Sequence, residues 1–147
     1  HGWGNTEIRA EYWRGVQTAT QFSSETPGTL ALLPDGKPAP NYVRSFDGGF
    51  LVLLQNIKST RHQVGVKLDW YDPNRRASGS DIGAAGSNLN AADLRYTTLG
   101  MGYLFYHSES LKFTFWYEHV TNEATRLPGL TGDLDDDVFT ARVQFRF

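Results

Sequence analysis

The chain has 147 residues, a net charge of −2 and no cysteine. That allows one ordinary domain and excludes a polybasic face for nucleic acid, a disulfide scaffold and any thiolate metal site. Aromatics reach 14% and glycine contributes 15 residues, yet all apolar types together make only 39%. No run approaches the roughly eighteen apolar residues of a transmembrane helix, but a membrane wall of alternating strands averages its hydropathy towards that of a soluble protein.

The chain starts at His1 without a leader-like segment, so the sequence is expected to begin after processing or inside a longer gene. Residues 5–17 place Ile8, Ala10, Tyr12 and Val16 opposite Glu7, Arg9 and Glu11, the period of a strand. A long polar stretch follows at 18–40, offering only the short apolar run 30–33. Residues 46–57 form a second strand that is apolar on both parities around 50–54, so alternation assigns it no face. After a short connection at 58–60, residues 61–71 set His62, Val64, Val66, Leu68 and Trp70 against Gln63, Gly65, Lys67 and Asp69. A second long polar stretch, 72–93, is rich in turn residues. Residues 94–106 set Leu99, Met101, Tyr103 and Phe105 against Thr98, Gly100, Gly102 and Leu104; glycines here suit a curved wall or a close neighbouring side chain. The connection 107–110 is short. Residues 111–120 alternate Leu111, Phe113, Phe115 and Tyr117 with Lys112, Thr114, Trp116 and Glu118. A third long stretch, 122–136, precedes the last strand, where Phe139, Ala141, Val143, Phe145 and Phe147 alternate with Thr140, Arg142, Gln144 and Arg146.

Six strands and no substantial helix are therefore expected, with connections that run long, short, long, short, long. Transmembrane barrels pair short turns at one end with long loops at the other, whereas compact soluble domains keep most connections short. Strands of about ten residues suit a tilted bilayer crossing. The aromatics Trp70, Tyr71, Tyr106, Trp116 and Tyr117 lie near strand ends, where amphipathic rings suit the headgroup level. Six strands leave two open edges, and backbone groups in hydrocarbon must all be paired. Residues 1–147 are accordingly read as part of an antiparallel transmembrane β-barrel, incomplete on its own, to be closed by further strands of the same polypeptide or by several copies each giving six strands.

The terminal stretch Phe139-Thr-Ala-Arg-Val-Gln-Phe-Arg-Phe147 is similar to the C-terminal signal read by the machinery that assembles outer-membrane barrels. With Arg44-Ser-Phe-Asp-Gly-Gly-Phe50, His62-Gln-Val-Gly-Val-Lys-Leu-Asp-Trp-Tyr-Asp-Pro-Asn74 and Leu94-Arg-Tyr-Thr-Thr-Leu-Gly100, the chain resembles the C-terminal portion of the phosphate-selective porin O and P family, in its Bacteroidota-type members. The resemblance runs from Gly2 to the end. It implies a bacterial outer-membrane location, a barrel of about sixteen to eighteen strands, often trimeric, and partners in outer-membrane lipid, the remaining strands and the assembly machinery. Phe139, Phe145 and Phe147 are the expected assembly signal. No dense basic run is present, so the likeness speaks for a porin more than for phosphate.

The expected function is passive diffusion of small hydrophilic solutes or ions through a water-filled barrel. A structural or partner-docking barrel component and a soluble all-β binding module are the alternatives. By parity Lys67, Lys112, Arg142, Arg146, Arg9 and Glu118 face the lumen, and Phe113, Phe115 and Val143 face lipid. Pairing of the last hairpin is expected to bring Lys112 near Arg146 with no adjacent acid, and Arg142 beside Trp116, giving a mild anion preference. No catalytic, cofactor or metal site is assigned. His62 and His119 lack ligand spacing, His107 and Ser108 are neighbours in one turn, and Gly100-Met-Gly102 lacks the rest of a dinucleotide fingerprint. The acidic run of Asp133, Asp135, Asp136 and Asp137 is read as a solvated loop end, with Ca²⁺ the competing reading.

Overall fold

The computed structural model describes residues 4–20, 32–38, 41–58 and 60–147. They form β1 (Thr6–Thr20), β2 (Asn41–Asn56), β3 (His62–Asp72), β4 (Tyr96–Tyr106), β5 (Leu111–Asn122) and β6 (Val138–Phe145). The six strands make one sheet in the order β1-β2-β3-β4-β5-β6, every neighbouring pair antiparallel. Among the described residues the only helical element is a single 3₁₀ turn, Ala91–Asp93. β1 and β6 end the sheet and do not pair with each other, so it is open.

Register follows the apolar parity across all six strands. Ile8 pairs with Leu53, Leu53 with Val66, Val66 with Met101, Met101 with Tyr117 and Tyr117 with Phe139. The next rung toward the loops runs Ala10, Leu51, Leu68, Leu99 and His119. Directly paired residues point to one side of a sheet, so this face is apolar from edge to edge. It is also uncovered: Ile8 is 66% exposed and Phe139 67%. Pairing settles β2, which alternation left unassigned. Leu51 and Leu53 join the apolar face, and Phe50, Val52 and Leu54 the other.

Aromatics gather at the two ends of the apolar face. His62, Tyr103, Phe105, Phe113 and Phe145 lie toward the short turns; Tyr12 and Trp70 lie toward the long loops. Aliphatic Ile8, Leu51, Leu53, Val66, Leu68 and Leu99 fill the middle of β1–β4, whereas Phe115, Tyr117 and Phe139 carry the middle of the face on β5 and β6. Tyr71, Tyr106 and Trp116 depart from the expected ring, because their parity places them on the polar face opposite Gly48, Lys112 and Gly102.

β1 runs three residues beyond the expected strand and β2 starts five earlier. The ladder continues through Gln17↔Arg44 to Thr20↔Asn41, past the last β2–β3 pair at Asp47↔Asp72. Main-chain hydrogen bonding carries the hairpin on where the apolar pattern has stopped. Most of the first long connection lies outside the described residues, as does the apolar run 30–33 except for its end; residues 32–38 make a small turn closed by a Leu32–Pro38 bridge.

Buried residues are divided between the strands and the loop layer above them. Ile82 and Leu94, in the β3–β4 loop, are 0% and 1% exposed, whereas Leu104 is the one buried apolar residue of the strands among those described. Antiparallel order puts all three long connections at one end, and two of them interlock there. Arg126 N donates to Ile82 O at 3.0 Å, and Glu123 accepts from Gly79 N at 2.9 Å and Arg95 N at 3.1 Å.

Candidate functional site

The polar face carries the chemistry. One depression of about 370 Å³ is lined by residues of every strand, from Glu7 and Arg9 in β1 to Arg142 and Gln144 in β6. A flat sheet has no such shared hollow, so the sheet curves with its polar face inward.

At the centre, Lys67 pairs with Asp69 at 2.7 Å and with Glu118. Lys67 stands opposite Gly100 and Gly100 opposite Glu118. The missing side chain at Gly100 lets an ammonium on β3 reach a carboxylate on β5 across the whole of β4. One cation is thereby held between two anions, and Lys67 adds no free positive charge. In β1 Arg9 is bound to Glu7 on the same face.

Toward the short turns the balance changes. Lys112 stands opposite Gln144 and Arg142 opposite Thr114. Arg146 N bonds Ser110 O, so its side chain continues the same parity. Lys112 thus lies diagonally between Arg142 and Arg146. Among the described residues none of the three forms an ion pair, and the Lys112 ammonium lies 5.6 Å from the Tyr106 ring centroid. Two expectations are corrected here. Trp116 stands opposite Thr140, making Arg142 its diagonal rather than direct neighbour. Glu109 in the turn shares a smaller hollow of about 150 Å³ with Lys112 and Arg146, so an acid is close by. A two-residue slip leaves every side chain on its own face, and parity cannot detect it.

Trp116 lies across a gap made by glycines. A Cβ built at Gly102 would come 1.7 Å from its Cε3, one at Gly65 2.9 Å from Cζ3, and one at Gly100 2.7 Å from Nε1. Contacts spanning both rings, over two strands, mean that the indole lies flat on the backbone. The signal in the sequence was three glycines of one parity in adjacent strands, though their partner was not visible there.

The loop end is built around Asp93. Its Oδ1 accepts from Arg44 Nε at 2.7 Å and Asn74 Nδ2 at 2.8 Å, and its Oδ2 accepts from Asn90 N at 3.0 Å. Burial pushes this carboxyl's pKa up, but the bonds from Arg44, the Asn90 backbone and Asn74, with the Arg44 charge, outweigh it and hold it below the ordinary range. In the acidic run, Asp133 accepts from Asn122 N at 2.9 Å. Asp137 accepts from Tyr117, His119 and Val120 N, and the first two bonds hold its carboxyl low. These two carboxylates cap β5 rather than converge. Among the described residues no three His, Asp or Glu side chains are grouped to hold a metal ion.

Of the expected residues, Arg9, Lys67, Lys112, Glu118, Arg142 and Arg146 share the polar face. Phe113, Phe115, Phe139, Val143 and Phe145 share the apolar one, with Phe113 opposite Val143 and Leu111 opposite Phe145. Phe147 extends beyond β6, fully exposed. Fold and site together define a curved, two-faced antiparallel β-wall with a charged inner face. No protein-family model, curated protein or solved structure matches the chain.

Proposed function

We propose that the chain is the C-terminal part of an outer-membrane barrel of porin type, whose polar face lines a water-filled path for small hydrophilic solutes and ions. The observation that carries the reading is the uncovered outer face: a continuous apolar band from edge to edge, aliphatic in the middle of β1–β4 and aromatic along β5, on a sheet curving the other way. In water so large an apolar surface demands a partner; against lipid it is already in its solvent, and aromatic girdles at both interfaces are the ordinary pattern. All the long loops lie at one end, as such barrels have them. The free edges of β1 and β6 are closed in this reading by further strands of the same polypeptide, since an open edge has no place in hydrocarbon. The porin O and P likeness supports the same conclusion, and the assembly role of Phe139, Phe145 and Phe147 belongs with it.

Planar-bilayer conductance of the full-length protein, purified in detergent, tests the proposal. Discrete, stable channel steps are expected. A folded protein that inserts without conducting favours the scaffold alternative, and a monodisperse folded chain in plain buffer removes the membrane reading altogether.

A further inference from the structure

We propose that the depression beside Trp116 is a binding subsite for small organic anions with a flat apolar body, aromatic carboxylates being the chemical class. The inference rests on the reading of the polar face as a solvent-filled wall, and it adds a ligand class to it.

Two features argue for the ligand. The first is a fixed aromatic plane. The underside of Trp116 rests on the Gly65, Gly100 and Gly102 backbone, so its outer face is presented to the hollow beside Leu54 and Leu104. A ring held flat by glycines has lost its freedom before a ligand arrives, which lowers the entropic cost of stacking on it. The second feature is charge. The one acid lining the hollow, Glu7, is bound by Arg9; Asp69 and Glu118 are both held by Lys67, and Glu11, on the Asp69 rung and without an ion pair among the described residues, lies outside the lining. Arg142, diagonal to Trp116 across the β5–β6 ladder, and Lys112, diagonal to Arg142, line the same hollow, and among the described residues neither forms an ion pair.

A guanidinium next to an apolar plane suits a carboxylate attached to a ring. The planar fork of Arg142 can take both carboxylate oxygens, while the ring stacks on the indole in an offset arrangement. A small inorganic anion engages only the charges, and a neutral aromatic only the plane. At about 370 Å³ the hollow falls in the range of roughly 300–1,000 Å³ usual for small-molecule sites.

The test is equilibrium dialysis of labelled benzoate against the full-length protein in detergent micelles, with the saturable component separated from linear partition into detergent. Saturable binding is expected, competed by other aromatic carboxylates and at least roughly tenfold more weakly by acetate or benzyl alcohol. Arg142→Gln and Trp116→Leu should each weaken it by a similar factor, while Arg142→Lys and Trp116→Phe, which retain charge or plane, should keep part of it. Far-ultraviolet circular dichroism identifies any variant that fails to fold, and the conservative pair then decides. No saturable component, equal competition by benzyl alcohol, or indifference to both pairs of substitutions overturns the subsite. Conductance without benzoate binding refutes the subsite and leaves the pore reading standing. Binding without conductance does the reverse.

Discussion

Arg44 Nε donates to Asp93 Oδ1 at 2.7 Å, in an ion pair whose side chains are 3% and 1% exposed. It joins the projecting end of β2 to the one helical turn of the β3–β4 loop, 49 residues further along the chain. Removing one partner from a buried pair leaves a charge without compensation, a loss of about 3–5 kcal/mol. Asp93→Asn is therefore expected to loosen the loop layer while leaving the strands paired. Hydrogen exchange should show faster labelling at Ile82 and Leu94 and little change at Val66 or Met101; equal protection at all four sites contradicts the assignment.

The same pair sets a pH dependence. Because the folded Asp93 carboxyl is held below its ordinary value of 3.8, its contribution is fully present above that value and is lost as pH falls through the lower folded one. Loop protection should stay level from neutral pH down to about 5 and fall only below about 4. Loss of loop protection between pH 7 and 5 contradicts the coupling.

A side chain at Gly102 cannot coexist with the present position of Trp116. Gly102→Ala is expected to destabilise the proposed barrel by about 1–3 kcal/mol, as overpacking does, and to shift the indole emission. In the Trp116→Ala background the same change should cost much less. Reversible unfolding of the four proteins of this cycle checks the contact directly, and additive effects count against it.

The two faces should differ in what they tolerate. Phe115 lies on the apolar face between Tyr103 and Ala141, and Thr114 on the polar face between Leu104 and Arg142. In the proposed barrel Phe115→Arg is expected to cost about 2–4 kcal/mol if the site lies at the bilayer midplane, and Thr114→Gln nearly nothing. Equal sensitivity at the two sites, by urea unfolding in lipid, reverses the facing.

In the proposed pore, ion selectivity should follow the cations without ion pairs and not the total charge. Lys112, Arg142 and Arg146 are the cations free of ion pairs on the described polar face, because Lys67 and Arg9 are matched. A mild anion preference is expected, reversed or abolished by Lys112→Glu with Arg142→Glu. Neutralising Lys67 leaves Asp69 and Glu118 unmatched and should move selectivity in the same direction but by less, since it removes one charge where the double reversal changes four. Reversal potentials under a salt gradient decide, and a wild type that prefers cations ends the assignment.

The sequence by itself determined which residues share a face. Alternation in residues 61–71, 111–120 and 139–147 has a period of two, and that period survives any packing that keeps the strands extended. Six strands, their antiparallel order through short turns at 58–60 and 107–110, and long loops at one end were legible for the same local reason. Only the tertiary structure decided which rung each residue occupies. Main-chain hydrogen bonds are blind to side-chain identity, and a slip of two residues keeps every face intact, so the level of Arg142 relative to Trp116 had no local signature. The facing of β2 came from its neighbours, because a segment apolar on both sides takes its parity from the strands it joins. The Lys67–Glu118 pair, the indole over three glycines and the Arg44–Asp93 tie depend on residues brought together across strands or loops. Their geometry exists only once the ladders are aligned, and those same ladders set which charges are cancelled and which are left to act.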